Sequence, residues 1–358
     1  MLESEYYLWG AGLYGERIID FMKDDLSFKA VIDNNPDKQG TFFKGLPVFS
    51  YDEIKQTLPT IKIVLAMNIP TTVRTFLLSE RFEDNKDIFV IHDFFPRFYW
   101  AKNRSIVIKS LDVPVTTMCN MRCKGCQVFM PMAGTLRHFT VEQITKNIDL
   151  AFNHIDSTMI LNFAVGENLL NKELSDICTY ISGNYSSRYG YLTVQTNGSI
   201  IPEDDALQRF SESKTIFGIS NYPENAKTTK QLIERFDAFS VKWYYNSLGG
   251  TRESWIDYGD PRVIKESNHY RLRELYNKCF IPGMAVHDGY LYICSEQAWS
   301  LLVAEEGTLE AGDAFDLHQP RTKNSREELS KYVTRQPEKG YITHCSRCNS
   351  TMVSLSHS

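Results

Sequence analysis

From about residue 105 to 270 the chain alternates short apolar runs with amphipathic stretches. Strands are expected at Asp112–Thr117, Met159–Ala164, Tyr191–Thr196, Ile216–Ser220 and Phe239–Tyr245. Helices are expected up to about His154 and near Asn171–Ser182, Glu203–Ser211 and Thr228–Phe236. The first of these opens on Thr140 and Gln143, a T-x-x-Q capping box. Repeated β–α units of this kind build a parallel α/β sheet or barrel. Ligands bind such folds beyond the carboxyl ends of the strands. The turns at those ends carry cysteine, glycine and asparagine.

The first 97 residues alternate in the same way. Tyr6–Trp9, Phe28–Ile32, Ile61–Ala66 and Ile88–Ile91 read as strands. Gly10, Gly12 and Gly15 form G-x-G-x-x-G between a strand and a helix, and Asp33 closes the next strand, 21 residues after Gly12. Such a turn offers amides and a helix N-terminus to phosphate, and Asp33 would take ribose hydroxyls. The segment is short for a complete dinucleotide domain, so a glycine turn kept for docking or shape is the alternative. The run DFFPRFYWAKNR, broken by Pro96, is expected to be a connector.

Composition bounds the function. In 358 residues, 42% hydrophobic, 23% charged and 13% aromatic describe a globular chain with a sizeable core. The net charge of −5 argues against a general nucleic-acid or anionic-membrane binder. No apolar run approaches the roughly 20 residues of a membrane span. The start, MLESEYYLWGAG, lacks the features of a secretory signal, so a cytoplasmic protein is expected. Eight cysteines are too sparse for a secreted disulfide scaffold, and in a reducing compartment close-spaced cysteines read as metal or redox ligands.

Cys119, Cys123 and Cys126 stand as C-x3-C-x2-C just after a strand. Three thiolates on one loop suit a 4Fe–4S cluster with one iron left open for a ligand. Unrelated buried cysteines, or a zinc site completed elsewhere, are the alternatives. Cys279, Cys294, Cys345 and Cys348 complete a second set, with C-x9-G-x4-C through Gly289 and C-x2-C near the end. Four thiols of that spacing suit a closed iron–sulfur cluster or structural zinc. Cys178 falls on an apolar helix face and reads as a core cysteine, with a hydrogen-atom donor as the other reading.

The first cysteine loop resembles that of the radical S-adenosylmethionine (radical SAM) superfamily, where it follows the first barrel strand. The resemblance implies that Cys119, Cys123 and Cys126 hold a 4Fe–4S cluster whose open iron chelates S-adenosylmethionine. One departure is visible: the usually aromatic position before the third cysteine is Gly125. The family's Gly-Gly-Glu-Pro stretch resembles Ala164–Asn168, where Gly166 and Glu167 match and the other two positions do not. The resemblance gives Gly166 and Glu167 to the methionine ammonium of the cofactor, against a solvent-facing loop carboxylate. It likewise gives Asn197, in Thr196-Asn197-Gly198, and Ser220 to the cofactor, against plain polar turns. The C-terminal cysteines resemble the family's auxiliary-cluster module in its short twitch form, the longer SPASM form needing more cysteines. The stretch VIDNNPDKQGTFFKGLPVFSYDEI resembles small Rossmann-like domains of bacterial surface-sugar enzymes, some of which bind sugar nucleotides.

The expected fold is α/β: a Rossmann-like domain at 1–97, a partial (β/α)6 TIM-type barrel at 105–270, and a small cluster-binding α+β domain at 271–358. The resemblance implies electron transfer from a flavodoxin- or ferredoxin-type reductant, then a 5′-deoxyadenosyl radical that removes hydrogen from substrate. The second cluster would accept an electron or be structural. A sugar or sugar nucleotide, oxidised or epimerised in surface-polysaccharide biosynthesis, is the favoured substrate. Trp255 and Asp257 in ESWIDYGD are candidates to touch it, against a packed loop, and Arg271 and Arg273 would grip phosphate or face solvent. Peptide modification and a non-catalytic iron–sulfur or zinc scaffold are the alternatives.

Overall fold

The computed structural model describes residues 4–57, 62–67, 70–246, 257–279 and 283–349. It divides into two compact units, residues 1–109 with 333–335, and residues 110–332 with 336–358. The architecture is mixed α/β with parallel sheets. No helix among the described residues is long and apolar enough to cross a membrane.

The first unit runs β1 (Tyr6–Trp9), α1 (Leu13–Met22), β2 (Ala30–Ile32), β3 (Phe42–Phe43), β4 (Leu46–Phe49), α2 (Tyr51–Thr57), β5 (Lys62–Leu65), α3 (Thr71–Ser79), β6 (Ile88–Val90) and α4 (Ile91–Asn103). Its sheet has the order β3-β4-β2-β1-β5-β6, parallel except for the β3–β4 hairpin. Every residue of β1, β2 and β6 is buried, as expected of parallel strands covered on both faces.

The aromatic run around Pro96 is a helix, not a connector. Proline inside α4 costs about 3 kcal/mol. Against that, Phe94, Phe95, Phe98 and Tyr99 are all buried, and each such side chain contributes about 1.5–3 kcal/mol. Burial wins, and Arg104 ends the helix in the left-handed conformation.

The second sheet has the order β11-β10-β9-β8-β7-β12-β13-β14. Its elements are β7 (Val107–Val113), α5 (Val141–His154), β8 (Ser157–Phe163), α6 (Leu174–Tyr185), β9 (Tyr189–Thr196), α7 (Asp204–Glu212), β10 (Ile216–Ile219), α8 (Ala226–Ala238), β11 (Lys242–Tyr245), α9 (His269–Lys278), β12 (Met284–His287), β13 (Tyr290–Tyr292), α10 (Ser295–Leu302), β14 (Ala314–Asp316) and α11 (Lys323–Val333). β8 to β11 pair in parallel, one after the next. The expected sixth barrel strand does not follow at the β11 edge among the described residues. The next strand, β12, pairs in parallel with β7 at the other edge, and β13 and β14 continue antiparallel.

The strand before the cysteine loop begins at Val107, five residues earlier than expected, and stops at Val113. Pro114 has no N–H to extend the ladder. The Thr140–Gln143 capping box forms in both directions, at 3.3 and 3.0 Å.

Candidate functional site

Three turns meet beyond the ends of β7, β8 and β9. The first carries the cysteine triple. Cys119 follows β7, the Cys126 N–H bonds the Cys123 carbonyl at 3.2 Å, and the Met121 N–H points at the Cys119 sulfur at 3.4 Å. Gly125 has φ of 75°, a conformation glycine adopts freely. Cys123 and Tyr222 form a small buried cluster, and Met121 and Cys126 pack against it. Burial pushes the Cys119 thiol up to about 11 against the pull of the Met121 N–H, and burial raises Cys126 as well. Charge on Cys123 and Cys126 would raise Cys119 further, and charge on Cys123 would raise Cys126.

The second turn is held on the first. Gly166 has φ of 66°, and a Cβ there would collide with the Met118 carbonyl. The absence of a side chain lets the Glu167 N–H bond that carbonyl at 2.8 Å, one residue before Cys119. The Glu167 side chain is fully buried. Its carboxylate accepts from the Leu169 N–H (3.1 Å), the Thr196 hydroxyl (2.8 Å) and the Asn197 N–H (2.6 Å). It is therefore not the solvent-facing loop group that one reading of the sequence allowed. Burial nevertheless outweighs the three donors and lifts its pKa to about 7. Asn168, where the resembled motif has proline, is buried and donates to the carbonyls of Phe163 and Gln195 at 3.0 and 2.7 Å. It stitches β8 to β9.

The third turn follows β9. Asn197 donates to the Asn120 side chain at 2.9 Å and reaches to 4.0 Å from the Cys119 sulfur. Asn225 donates to the Asn197 carbonyl at 2.8 Å and to the Met121 sulfur at 3.4 Å. Ser220, just after β10, bonds the Thr196 carbonyl through its N–H at 2.9 Å. The structure thus brings Cys119, Cys123, Cys126, Gly166, Glu167, Asn197 and Ser220 to one end of the sheet. Asn120, Thr196 and Asn225 join them unforeseen. Only their places within two residues of Cys119 and Asn197, or just after β10, could have signalled them.

The C-terminal cysteines sit on separate elements. Cys279 ends α9, Cys294 precedes α10, and Cys345 lies in the turn Thr343–Ser346, three residues before Cys348. The buried Tyr258 phenol feels Glu296, Cys279, Cys348 and Cys294 together, and burial before all else pushes it up. Cys294 is raised well above the usual thiol range by burial, then by Glu296, Cys279 and Cys348. Gln297, 2% exposed, has no hydrogen-bond partner for either end of its amide among the described residues.

Among the described residues no three His, Cys, Asp or Glu side chains converge tightly enough to hold a single metal ion. Soft thiol donors on a turn held at Met118 and screened by Tyr222 are the donor chemistry of an iron–sulfur cluster. The first cysteine loop fits that group.

Gly10 and Gly12 lie between β1 and α1, with Gly15 in α1. Asp33 is turned onto the protein: its carboxylate accepts from the Ala11 N–H at 2.7 Å and the Asn35 N–H at 2.9 Å, with Lys38 at 3.6 Å. Asp257 closes a turn through the Gly259 N–H at 2.8 Å. Trp255 lies outside the described residues. Cys178 is fully buried in α6, and burial lifts its thiol to about 12.

Residues 113–258 match the family model described as Radical SAM superfamily. The match supports a radical SAM enzyme, and such a domain implies a 4Fe–4S cluster and S-adenosylmethionine. A 68-residue stretch is 36% identical to the redox-sensing transcriptional repressor Rex of Brevibacillus brevis (strain 47 / JCM 6285 / NBRC 100599), over 18% of this chain and 33% of that protein. The chain thus spans about a third of the length of that curated relative. Among solved structures it is similar to BtrN in complex with AdoMet and 2-DOIA, with a TM-score of 0.42 and 15% identity over 71% of this chain and 99% of BtrN. It is also similar to anSMEcpe with bound AdoMet, with a TM-score of 0.41 and 14% identity over 65% of this chain and 82% of that one.

Proposed function

We propose that the protein is a radical SAM oxidoreductase acting on a sugar or sugar nucleotide in surface-glycan biosynthesis, by oxidation or epimerisation. The observation that carries the radical chemistry is the C-x3-C-x2-C turn after β7, inside the segment that matches the family. When bound, the cluster and S-adenosylmethionine supply a deoxyadenosyl radical that takes a hydrogen atom from substrate. Cys119, Cys123 and Cys126 would hold the cluster. Tyr222 and Met121 shield two of those thiols from water. Gly166 and Glu167 fix the neighbouring turn against Met118, and Glu167 in turn fixes Asn197. Asn197, held by Asn120 and the Ser199 N–H, and the Ser220 hydroxyl would lie beside the cofactor.

Cys279, Cys294, Cys345 and Cys348 would hold a second, auxiliary 4Fe–4S cluster of twitch type. The common field of Cys279, Cys294 and Cys348 on Tyr258 supports the grouping. The first unit would be a Rossmann-like domain, and the parallel order around β1 supports that reading. The sugar substrate rests on the resemblance of residues 31–54 to surface-sugar enzymes. The test is an anaerobic incubation with S-adenosylmethionine, a flavodoxin- or ferredoxin-type reductant, and UDP- or GDP-hexoses or peptides. Deoxyadenosine and an altered hexose are expected. Modified peptide with untouched hexose would replace the sugar reading, and no deoxyadenosine would remove the radical one.

A further inference from the structure

Asn197 is tied to the protein on four sides. Its backbone N–H donates to Glu167 at 2.6 Å, and its backbone carbonyl accepts from Asn225 at 2.8 Å. Its side-chain oxygen accepts from the Ser199 N–H at 2.9 Å. One of its two amide hydrogens goes to the Asn120 side-chain oxygen, also at 2.9 Å. A carboxamide carries a second such hydrogen. In a residue 8% exposed, water does little to satisfy it. The acceptor on that side is the Cys119 sulfur, 4.0 Å from the amide nitrogen.

The bonding decides which end of the amide faces the sulfur. A backbone N–H only donates, so Ser199 takes the oxygen of Asn197 and the nitrogen is left for Asn120 and Cys119. Asn120 must then present its oxygen, and its own nitrogen donates to the Ser199 hydroxyl at 2.8 Å.

The turn that carries the amide is held as well. Gly198 has φ of 74°, and a Cβ there would collide with the Thr229 hydroxyl. The Gly198 N–H donates to the Thr196 hydroxyl at 3.1 Å. Asn225 reaches the Met121 sulfur at 3.4 Å with the same amide that braces Asn197. One side chain thus spans the turn after β9 and the cysteine loop.

A donor aimed at a cluster ligand acts on the electron. One-electron reduction by the flavodoxin- or ferredoxin-type reductant adds negative charge that the thiolate ligands share. Hydrogen bonds to sulfur favour that state and raise the potential. The thiolate of a loaded site is a stronger acceptor than the thiol. The Met121 N–H, 3.4 Å from the same sulfur, works in the same sense but belongs to the loop backbone.

We propose that Asn197 is a positioning residue whose second amide hydrogen serves the Cys119 thiolate and raises the reduction potential of the first cluster. Asn120 and Asn225 hold that amide in place. The inference deepens the radical reading above and rests on it for the cluster.

The test is a potentiometric titration of the full chain, reconstituted anaerobically with iron and sulfide and followed by electron paramagnetic resonance. The signal that S-adenosylmethionine alters identifies the first cluster. Asn197→Leu removes the donor at similar volume. At a fixed potential it is expected to raise the ratio of oxidised to reduced first cluster about 3- to 10-fold, the range for one hydrogen bond. For a one-electron couple that lowers the midpoint by about 30–60 mV. Asn197→Asp, which sets a charge where the donor stood, is expected to lower it at least as far. Asn120→Ala keeps the donor but frees it, and is expected to give part of the change. A purely structural role would reduce iron per chain and leave the potential of loaded chains where it was. Should Asn197→Leu not fold or load, Asn120→Ala carries the test. An unchanged or raised midpoint in the loaded variant overturns the proposal alone. An unaltered chain with no signal that S-adenosylmethionine alters removes the cluster reading and the proposal with it.

Discussion

The Glu167 carboxylate accepts the Asn197 backbone N–H at 2.6 Å. That bond ties the turn after β8 to the turn after β9. Through the Glu167 N–H on Met118 it also ties both to the entry of the cysteine loop. A fully buried carboxylate with three protein donors is therefore a strut of the site.

That strut makes stability depend on pH in a set direction. The folded pKa of Glu167 is raised to about 7 by burial, above the ordinary 4.5. The native state thus binds the proton more tightly than the unfolded chain. The contribution is fully present below about pH 4.5 and is lost as pH rises through 7. Its size is about 3 kcal/mol by linkage. Unfolding free energies measured in denaturant between these limits should fall with pH in the native chain and fall less in Glu167→Gln. An identical slope in both would show that Glu167 is not the group responsible.

The capping box of α5 gives a smaller, local effect. Thr140→Ala removes the acceptor of the Gln143 N–H and is expected to cost about 1 kcal/mol, with Thr140→Ser largely retaining stability. Denaturant midpoints for the two variants check it.

The capping box was legible because its signal is local: two residues three apart decide it. The cysteine triple was legible for the same reason. The helix α4 was not, because proline is a local signal against helix while the burial of Phe94, Phe95 and Phe98 is a tertiary fact. Glu167 was legible as part of a motif, but its partners Thr196 and Asn197 lie about 30 positions away, and only the β8–β9 pairing brings them to it.

Arg188 closes the end of α5. Its guanidinium donates to the carbonyls of Phe152, Ile155 and Asp156, each at 2.6 Å, and lies over the Phe152 ring. Those carbonyls lack helix partners, and a cation there complements the helix dipole. Arg188→Ala is expected to cost about 2 kcal/mol, since it strands acceptors in a half-buried place. Arg188→Lys should recover only part of that, because an ammonium cannot reach three carbonyls from one plane. Thermal and denaturant unfolding of the pair checks the order.

The cysteines supply a contrast within one chain. Cys178 and Cys123 are both buried, yet their surroundings differ. Cys178 is enclosed in α6 with Thr215 as its hydrogen-bond partner, so its sulfur fills space. Cys123 sits among Met121, Tyr222 and Cys126 on a turn. Alanine at Cys178 removes packing and is expected to cost about 1–2 kcal/mol of stability. It should leave iron and sulfide content per chain unchanged. Alanine at Cys119, Cys123 or Cys126 removes one of the proposed cluster ligands. The loss of deoxyadenosine formation should then exceed the roughly 10- to 100-fold typical of losing an outer-shell partner. Iron content should fall in those three variants while stability moves less than in Cys178→Ala. Anoxic preparation, metal analysis and product chromatography read all four variants side by side. Equal iron and undiminished cleavage in the three loop variants would leave the turn after β7 a mere packing element and remove the ground for radical chemistry here.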